Sequence, residues 1–405
     1  MMNHARADEL AARSHLAAHG WIPRNAEAFR HLPPPDAALW LGEANAAAGA
    51  EAAGNWEVEL LPPDVACSVD VRRLDAADPA QRRELLADLP LPGDDAAAPF
   101  AWAHRVLLRQ GLRLRVRPAP DGSELVLHVR RRGGAVEAPL LVVELLQGAR
   151  CVLLETHDMA DAATRGAIVQ NLQVHVLAGE RSSLRHVRVA LPAGLDRIAH
   201  HVHVRLGKDA NYEQALLSGG SGYHLQRTVL ELDHARATAR TGSVLLAADT
   251  CIDQQVLVHH GAAGTNSSID ALALGSGSAR LVANAHTTIA AGSDEAQTRQ
   301  RLVGVPTGGQ PRLVLRPHLE IHHDQVQAAH GATWGALPED ALFHARQRGI
   351  DEVTAKAMIV EGMAAAVFAR VLGDASVLET SGLAARLTRA IADHLAAGRK
   401  ELRHG

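Results

Sequence analysis

The 405 residues exceed what one ordinary hydrophobic core supports, so two or three structural regions are expected. Hydrophobic residues make up 47% of the chain and aromatics 3%. Leu, Val and Ala must therefore fill the interior, which suits layered or repetitive folds and disfavours an aromatic-lined ligand pocket. With 41 basic against 45 acidic residues, no basic field is present to hold a phosphate backbone, which argues against nucleic-acid binding.

His4, Arg6, Asp8 and Glu9 stand near the start in place of a basic flank leading into an apolar stretch, so no signal peptide is expected. Cys67, Cys151 and Cys251 are far apart and form no CxxC pair, which fits free thiols in a reducing, cytoplasmic setting. Residues 1–104 carry helical periodicity at Arg6 to His19 and Pro79 to Leu89. Breakers at Pro33-Pro34-Pro35, Ala44 to Gly54 and Pro90 to Pro99 cut this region into a small, irregular helical domain. The most apolar run, Pro139 to Leu146, is interrupted by Glu144 and far shorter than the roughly 20 residues a membrane span needs.

Residues 105–335 change texture. Apolar and polar residues alternate in short runs such as Leu112 to Val116, Val187 to Val189, Val202 to Leu206, Val229 to Leu232 and Leu313 to Leu315. Gly219-Gly220-Ser221-Gly222, Gly261 to Gly264 and Gly275-Ser276-Gly277 separate them as turns. Such strands build a sandwich, a barrel or a solenoid, and periodicity alone does not choose. The small residues between Ser267 and Ala291 suit the tight corners of a β-helix, although no fixed-length motif repeats cleanly.

Residues 336–405 read as helical. Pro338, Glu339 and Asp340 suit the start of a helix that Gly349 stops after Arg346 and Arg348. A second helix begins near Asp351 with an apolar stripe Val353, Ala357, Val360, Ala364, Val367 and Val371, making an αα-hairpin, and a third runs Gly382 to Ala397.

Arg316-Pro317-His318-Leu319-Glu320-Ile321, then His330-Gly331-Ala332-Thr333, Leu342-Phe343 and Arg348-Gly349-Ile350, form an ordered set that resembles the signature of the SufB/SufD family of iron-sulfur cluster assembly proteins. The absence of a CxxC pair and of any Cys after Cys251 resembles the SufD-like branch. The resemblance implies a mainly β fold, a right-handed parallel β-helix between helical regions. It implies a non-catalytic scaffold subunit that pairs with a SufB-like chain, or with a second copy of itself when alone, and whose helical end docks a SufC ATPase. That docking surface would include Leu342, Phe343, Arg346, Arg348, Gly349 and Ile350. His330 would lie at the subunit interface as a ligand for iron or a nascent cluster, shared with the partner, and reduced flavin would act in the complex. A Cys often found two residues before the signature His is Ala328 here.

From the residues alone, His330 precedes a Gly that lets the backbone turn and expose an imidazole. His318, Glu320 and His322 alternate, presenting two imidazoles and a carboxylate to one metal. His201 and His203 form another same-face pair, while His259-His260 and His322-His323 point to opposite faces. His201, His203 and the His318/Glu320/His322 trio define a rival reading, a metal-dependent cupin- or hydrolase-like enzyme in a closed barrel. Cys251 reads as a small buried apolar group. No phosphate loop, dinucleotide fingerprint or nucleophile elbow is present.

Overall fold

The computed structural model describes residues 4–43, 55–61, 68–158, 166–373 and 376–397; the Ala44 to Gly54 breaker and Cys67 lie outside them. The N-terminal region holds α1 (His4–His19), a 3-10 turn (Glu27–Phe29), α2 (Ala37–Trp40), α3 (Pro79–Leu85) and α4 (Ala98–Leu107). It also holds two strands, β1 (Asn55–Leu61) and β2 (Val69–Asp75), in a stretch read as helical. Their period is two: Trp56, Val58 and Leu60, and likewise Val69 and Val71, pack on the central core. Pro99, read as a breaker, sits instead in the first turn of α4, where its missing N–H costs nothing.

The rest of the strands are β3 (Gln110–Val116), β4 (Leu125–Arg132), β5 (Val136–Glu137), β6 (Leu140–Leu145), β7 (Arg150–Asp158), β8 (Val169–Ala178) and β9 (Ser183–Ala190). They continue with β10 (Arg197–Leu206), β11 (Asn211–Gly219), β12 (Tyr223–Leu232), β13 (Thr238–Ala248) and β14 (Cys251–His260). The series ends with β15 (Asn266–Ser276), β16 (Arg280–Ile289), β17 (Gln297–Pro306), β18 (Arg312–Ile321) and β19 (Gln327–Trp334). One sheet runs β1-β4-β7-β9-β11-β13-β15-β17-β19 and the other β18-β16-β14-β12-β10-β8-β6-β3-β2. All pairings are parallel except β1 with β4 and β2 with β3. Each coil gives one strand to each sheet, so the molecule is a parallel β-helix of eight coils, β3–β4 being the first and β18–β19 the last. A closed barrel does not form.

Coil length varies. The interval between Arg197 and its partner Tyr223 is shorter than that between Arg280 and its partner Arg312. What repeats is a backbone corner. Gly148, Arg181, Asp209, Arg236, Gly264 and Glu295 all have positive φ, and each lies two residues before a strand of the first sheet. The amide of each donates to a carbonyl in the next coil's corner, as from Arg181 to Lys208 (2.9 Å) and from Arg236 to Ala263 (3.0 Å), so the left-handed conformation is held by a stacked ladder.

Both outer faces are covered over much of their length. α2 and α4 sit on the second sheet with α1 packed over α4, and there Phe29, Trp40 and Phe100 meet Ala199, Tyr223 and Leu225. On the first sheet lie α6 (Glu352–Leu372) and α8 (Leu383–Ala397), with α5 (Glu339–Gln347) before them and α7 (Ser376–Thr380) between. Val360, Ala364, Val367 and Phe368 of α6 pack on Val244, Leu272 and Leu274. Gly242 on β13 allows this approach: a Cβ there would lie 2.7 Å from Val371 Cγ2. The apolar stripe read along the second helix is buried from Val360 onward, but Val353 is exposed. Because the sheets are covered on both sides, runs such as Leu140–Leu145 lose their alternation.

Candidate functional site

The last coil is the one part of the solenoid with no further coil upon it. β19 pairs only with β17 and β18 only with β16, which leaves both outer strand edges unpaired among the described residues. Every residue of β19 is exposed. His330 pairs with Gln300, and through it continues a column of Ile269, Thr241, Gln214 and His186. Parallel partners point to the same side of the sheet. Gln300 is 1% exposed and its amide donates to the Thr287 hydroxyl (2.9 Å) and the His318 carbonyl (2.9 Å) inside the helix. His330 therefore lies on the inner face at the open mouth, with Ala328, Ala332 and Trp334 on the same face. Among the described residues no side chain takes up its ring nitrogens. A rigid strand thus offers an exposed imidazole that is free to bind a ligand from outside.

The two described thiols are elsewhere. Cys151 shares the column of Ala328, but six strands away, about 29 Å at the usual strand spacing. Burial pushes its thiol far up, so it is a protonated core group. Cys251 is half-buried on β14 and donates to the carbonyls of Ser221 and Gly222 (3.3 and 3.4 Å), and burial raises its pKa too.

Further inside, polar groups that the linear sequence does not bring together line the bore. Glu155 is fully buried and accepts from His157 (2.6 Å), His186 (2.8 Å) and Arg188 (2.9 Å). Burial alone would raise its pKa, but the Arg188 charge and the two imidazole bonds hold it well below the usual carboxylate range. Arg188 also donates to Gln226, which bonds His224 (2.7 Å) and His200 (3.3 Å). The alternation of Glu155/His157 and His186/Arg188 is visible in the sequence, but their meeting depends on register.

The trio and the pair of the enzyme reading do not converge. His201 is buried against Phe100 (ring centroids 5.2 Å) and His203 stacks on His175 (5.0 Å), in a cleft of about 310 Å³ under the N-terminal helices. Burial lowers the pKa of both. His318 lies in the same outward column as His203 but four strands further on, about 19 Å away. No single ion spans that gap. Of the adjacent pairs, His260 is buried and bonded to Thr265 and Ser267 (both 2.8 Å), while His259 is exposed. His322 and His323 follow β18 and bond Glu320 (2.8 Å) and Asp294 (2.5 Å).

At the helical end, Gly349 has φ of 76° and its amide donates to Arg346 O, while Ile350 N donates to Ala345 O (3.1 Å), which is a Schellman stop. Leu342 packs toward α6, and Phe343 is 56% exposed. Arg346 pairs with Glu352 (2.8 Å), and Arg348 donates to the His344 carbonyl (3.4 Å). Phe343, Val353 and Met358 place exposed apolar side chains on α5 and α6.

The chain is thus a parallel β-helix with helical layers on its two flanks, whose last coil carries an exposed imidazole on a strand with an outer edge unpaired among the described residues. Residues 128–363 match the family described as SUF system FeS cluster assembly, SufBD core domain. The chain belongs to that family. It is 24% identical over 264 residues to the iron-sulfur cluster assembly protein SufD of Escherichia coli, covering 60% of this chain and 62% of that protein. An iron-sulfur cluster assembly SufBD family protein of Mycobacterium leprae is 26% identical over 263 residues, covering 62% and 57%. One from Synechocystis is 21% identical over 236 residues, covering 56% and 51%. The chain thus spans between about half and 62% of these relatives. No helix among the described residues is long and apolar enough to cross a membrane.

Proposed function

We propose that the chain is a SufD-like subunit of the SUF assembly scaffold that pairs through its last coil with a SufB-like chain and holds iron or a nascent cluster, its cargo, at that junction. The observation that carries the reading is the exposed His330 on the inner face of an uncapped coil, in a chain that belongs to the SufBD family. An imidazole suits iron yet holds it less firmly than a thiolate, which favours release of a cluster. Because Ala328 stands beside His330, thiolate ligands come from the partner. The subunit does no chemistry alone. Phe343, with Leu342, Arg346, Arg348, Gly349 and Ile350, forms the surface for a SufC-type ATPase, and reduced flavin joins only in the assembled complex. In the absence of a SufB-like chain two copies pair by the same end.

The test is co-purification of the tagged chain expressed with SufB- and SufC-type partners, comparing wild type with His330→Ala. The expected result is equal assembly of both, with iron and sulfide lost in the variant. A wild-type chain that stays alone under co-expression, or a variant with undiminished cluster, overturns the reading.

A further inference from the structure

We infer that the outward face of the last two coils is a second metal site, which takes one divalent first-row transition ion between His286, His318 and Glu320, with His322 as its orienting partner. Nothing in this rests on the partner subunits. β16 and β18 are hydrogen-bonded neighbours, and their register sets His286 beside His318 and Thr288 beside Glu320. Both pairs face outward, since the alternate residues Ala285, Thr287 and Ile289 of β16 are buried inward. One ligand atom from each of His286, His318 and Glu320 lies within 4.8 Å of the other two. The His286 and His318 rings are 4.5 Å apart. Glu320 is already shared between imidazoles, with His286 Nε2 at 3.5 Å and His322 Nε2 at 2.8 Å.

Ligands about 2.0–2.2 Å from a zinc-like ion stand roughly 3–3.6 Å from one another, so the spacing needs only rotamer adjustment. The strands beneath fix the backbones. Thr288 Oγ1, 3.3 Å from His286 Nε2, and His322, on the carboxylate, are the kind of outer contacts that aim ligands. Arg316 is on the same face two residues before His318, but Glu27 holds its guanidinium (2.6 Å), which removes a competing cation. Two imidazoles and one carboxylate select borderline ions, Zn²⁺, Co²⁺, Ni²⁺ or Fe²⁺, over Mg²⁺ and Ca²⁺, which want oxygen alone. Three protein ligands on a half-exposed surface leave a position open to water or a transferring ligand. His330 faces inward on the other sheet, so the two sites are separate.

The probe is Co²⁺, titrated into the purified full chain and followed by its visible d–d absorption, with Zn²⁺ competition and Mg²⁺ as a control. Wild type is expected to bind one equivalent that Zn²⁺ displaces and Mg²⁺ does not. His286→Ala, His318→Ala and Glu320→Gln should each weaken it by roughly a hundredfold, His322→Ala by roughly tenfold, and His330→Ala not at all. Circular dichroism of each variant verifies its fold, and these positions are at the surface. No absorbing complex in wild type, or unchanged affinity in His286→Ala and His318→Ala, overturns the inference, as does loss of the signal in His330→Ala.

Discussion

Lowering the pH from 7.5 to 5.5 is expected to weaken the fold sharply. Burial is the largest cause that pushes the pKa of His104 down to about 3 and those of His203, His224, His260 and His394 down to about 4. Folded values below the unfolded 6.5 mean that each neutral imidazole favours the folded state fully above pH 6.5. That contribution is lost as the pH falls toward 4, because only the unfolded chain takes up the proton. Between pH 7.5 and 5.5 each costs about 1.4 kcal/mol, about 7 kcal/mol for the set. Asp253 opposes them. Burial raises its pKa to about 7, so the folded state takes up its proton first and regains about 2 kcal/mol over the same interval. His175, His200 and His201 shift in the same direction as the five. The net loss is therefore about 5 kcal/mol or more, comparable with the 5–15 kcal/mol by which ordinary proteins are stable. Urea unfolding followed by far-ultraviolet circular dichroism at the two pH values reads it directly, and the midpoint should fall by about 1 M or more. A midpoint that is equal or higher at pH 5.5 refutes the reasoning.

Replacing Asp253 by Asn should raise stability by roughly 4 kcal/mol at pH 8 and roughly 1.6 kcal/mol at pH 5, since the unfolded carboxylate ionises from pH 3.8 upward while the folded one stays protonated up to about 7; equal effects at both pH values would contradict this. Arg188→Met strands Glu155 as a buried charge and should cost about 3–5 kcal/mol in chemical denaturation, with Glu155→Gln in the same chain recovering part of it. Gly242→Val drives a side chain into Val367 and Val371, so amide exchange along α6 should speed up while the interior strands keep their protection; an unaltered α6 would show that Gly242 is not its seat.

The strands were legible wherever one face differed from the other, as in Val202 to Leu206, and the Gly349 stop was legible because a left-handed C-terminal position calls for Gly. The repeat was not. Coils of unequal length share a corner conformation rather than a residue, since Gly, Arg, Asp and Glu all occupy it. Stacked hydrogen bonds override the usual penalty for a left-handed Arg181 or Glu295, and no propensity argument anticipates that. Trp56 to Leu60 was hidden by short length and helical neighbours, and α4 by Pro99 in its first turn. At the metal site the trio was visible along one stretch, but His286 comes from the neighbouring strand a full coil earlier, and only register reveals it. His201 and His203 misled because same-face spacing says nothing of which coil a residue occupies.

Antiparallel β1 and β2 occupy one end of the two sheets and nothing among the described residues occupies the other. The two ends of the solenoid therefore differ in kind, one finishing on strands that run against the coil direction and the other on strands that run with it. The N-terminal strand pair thus interrupts the parallel repeat, so the two ends present different hydrogen-bonding patterns to anything laid against them.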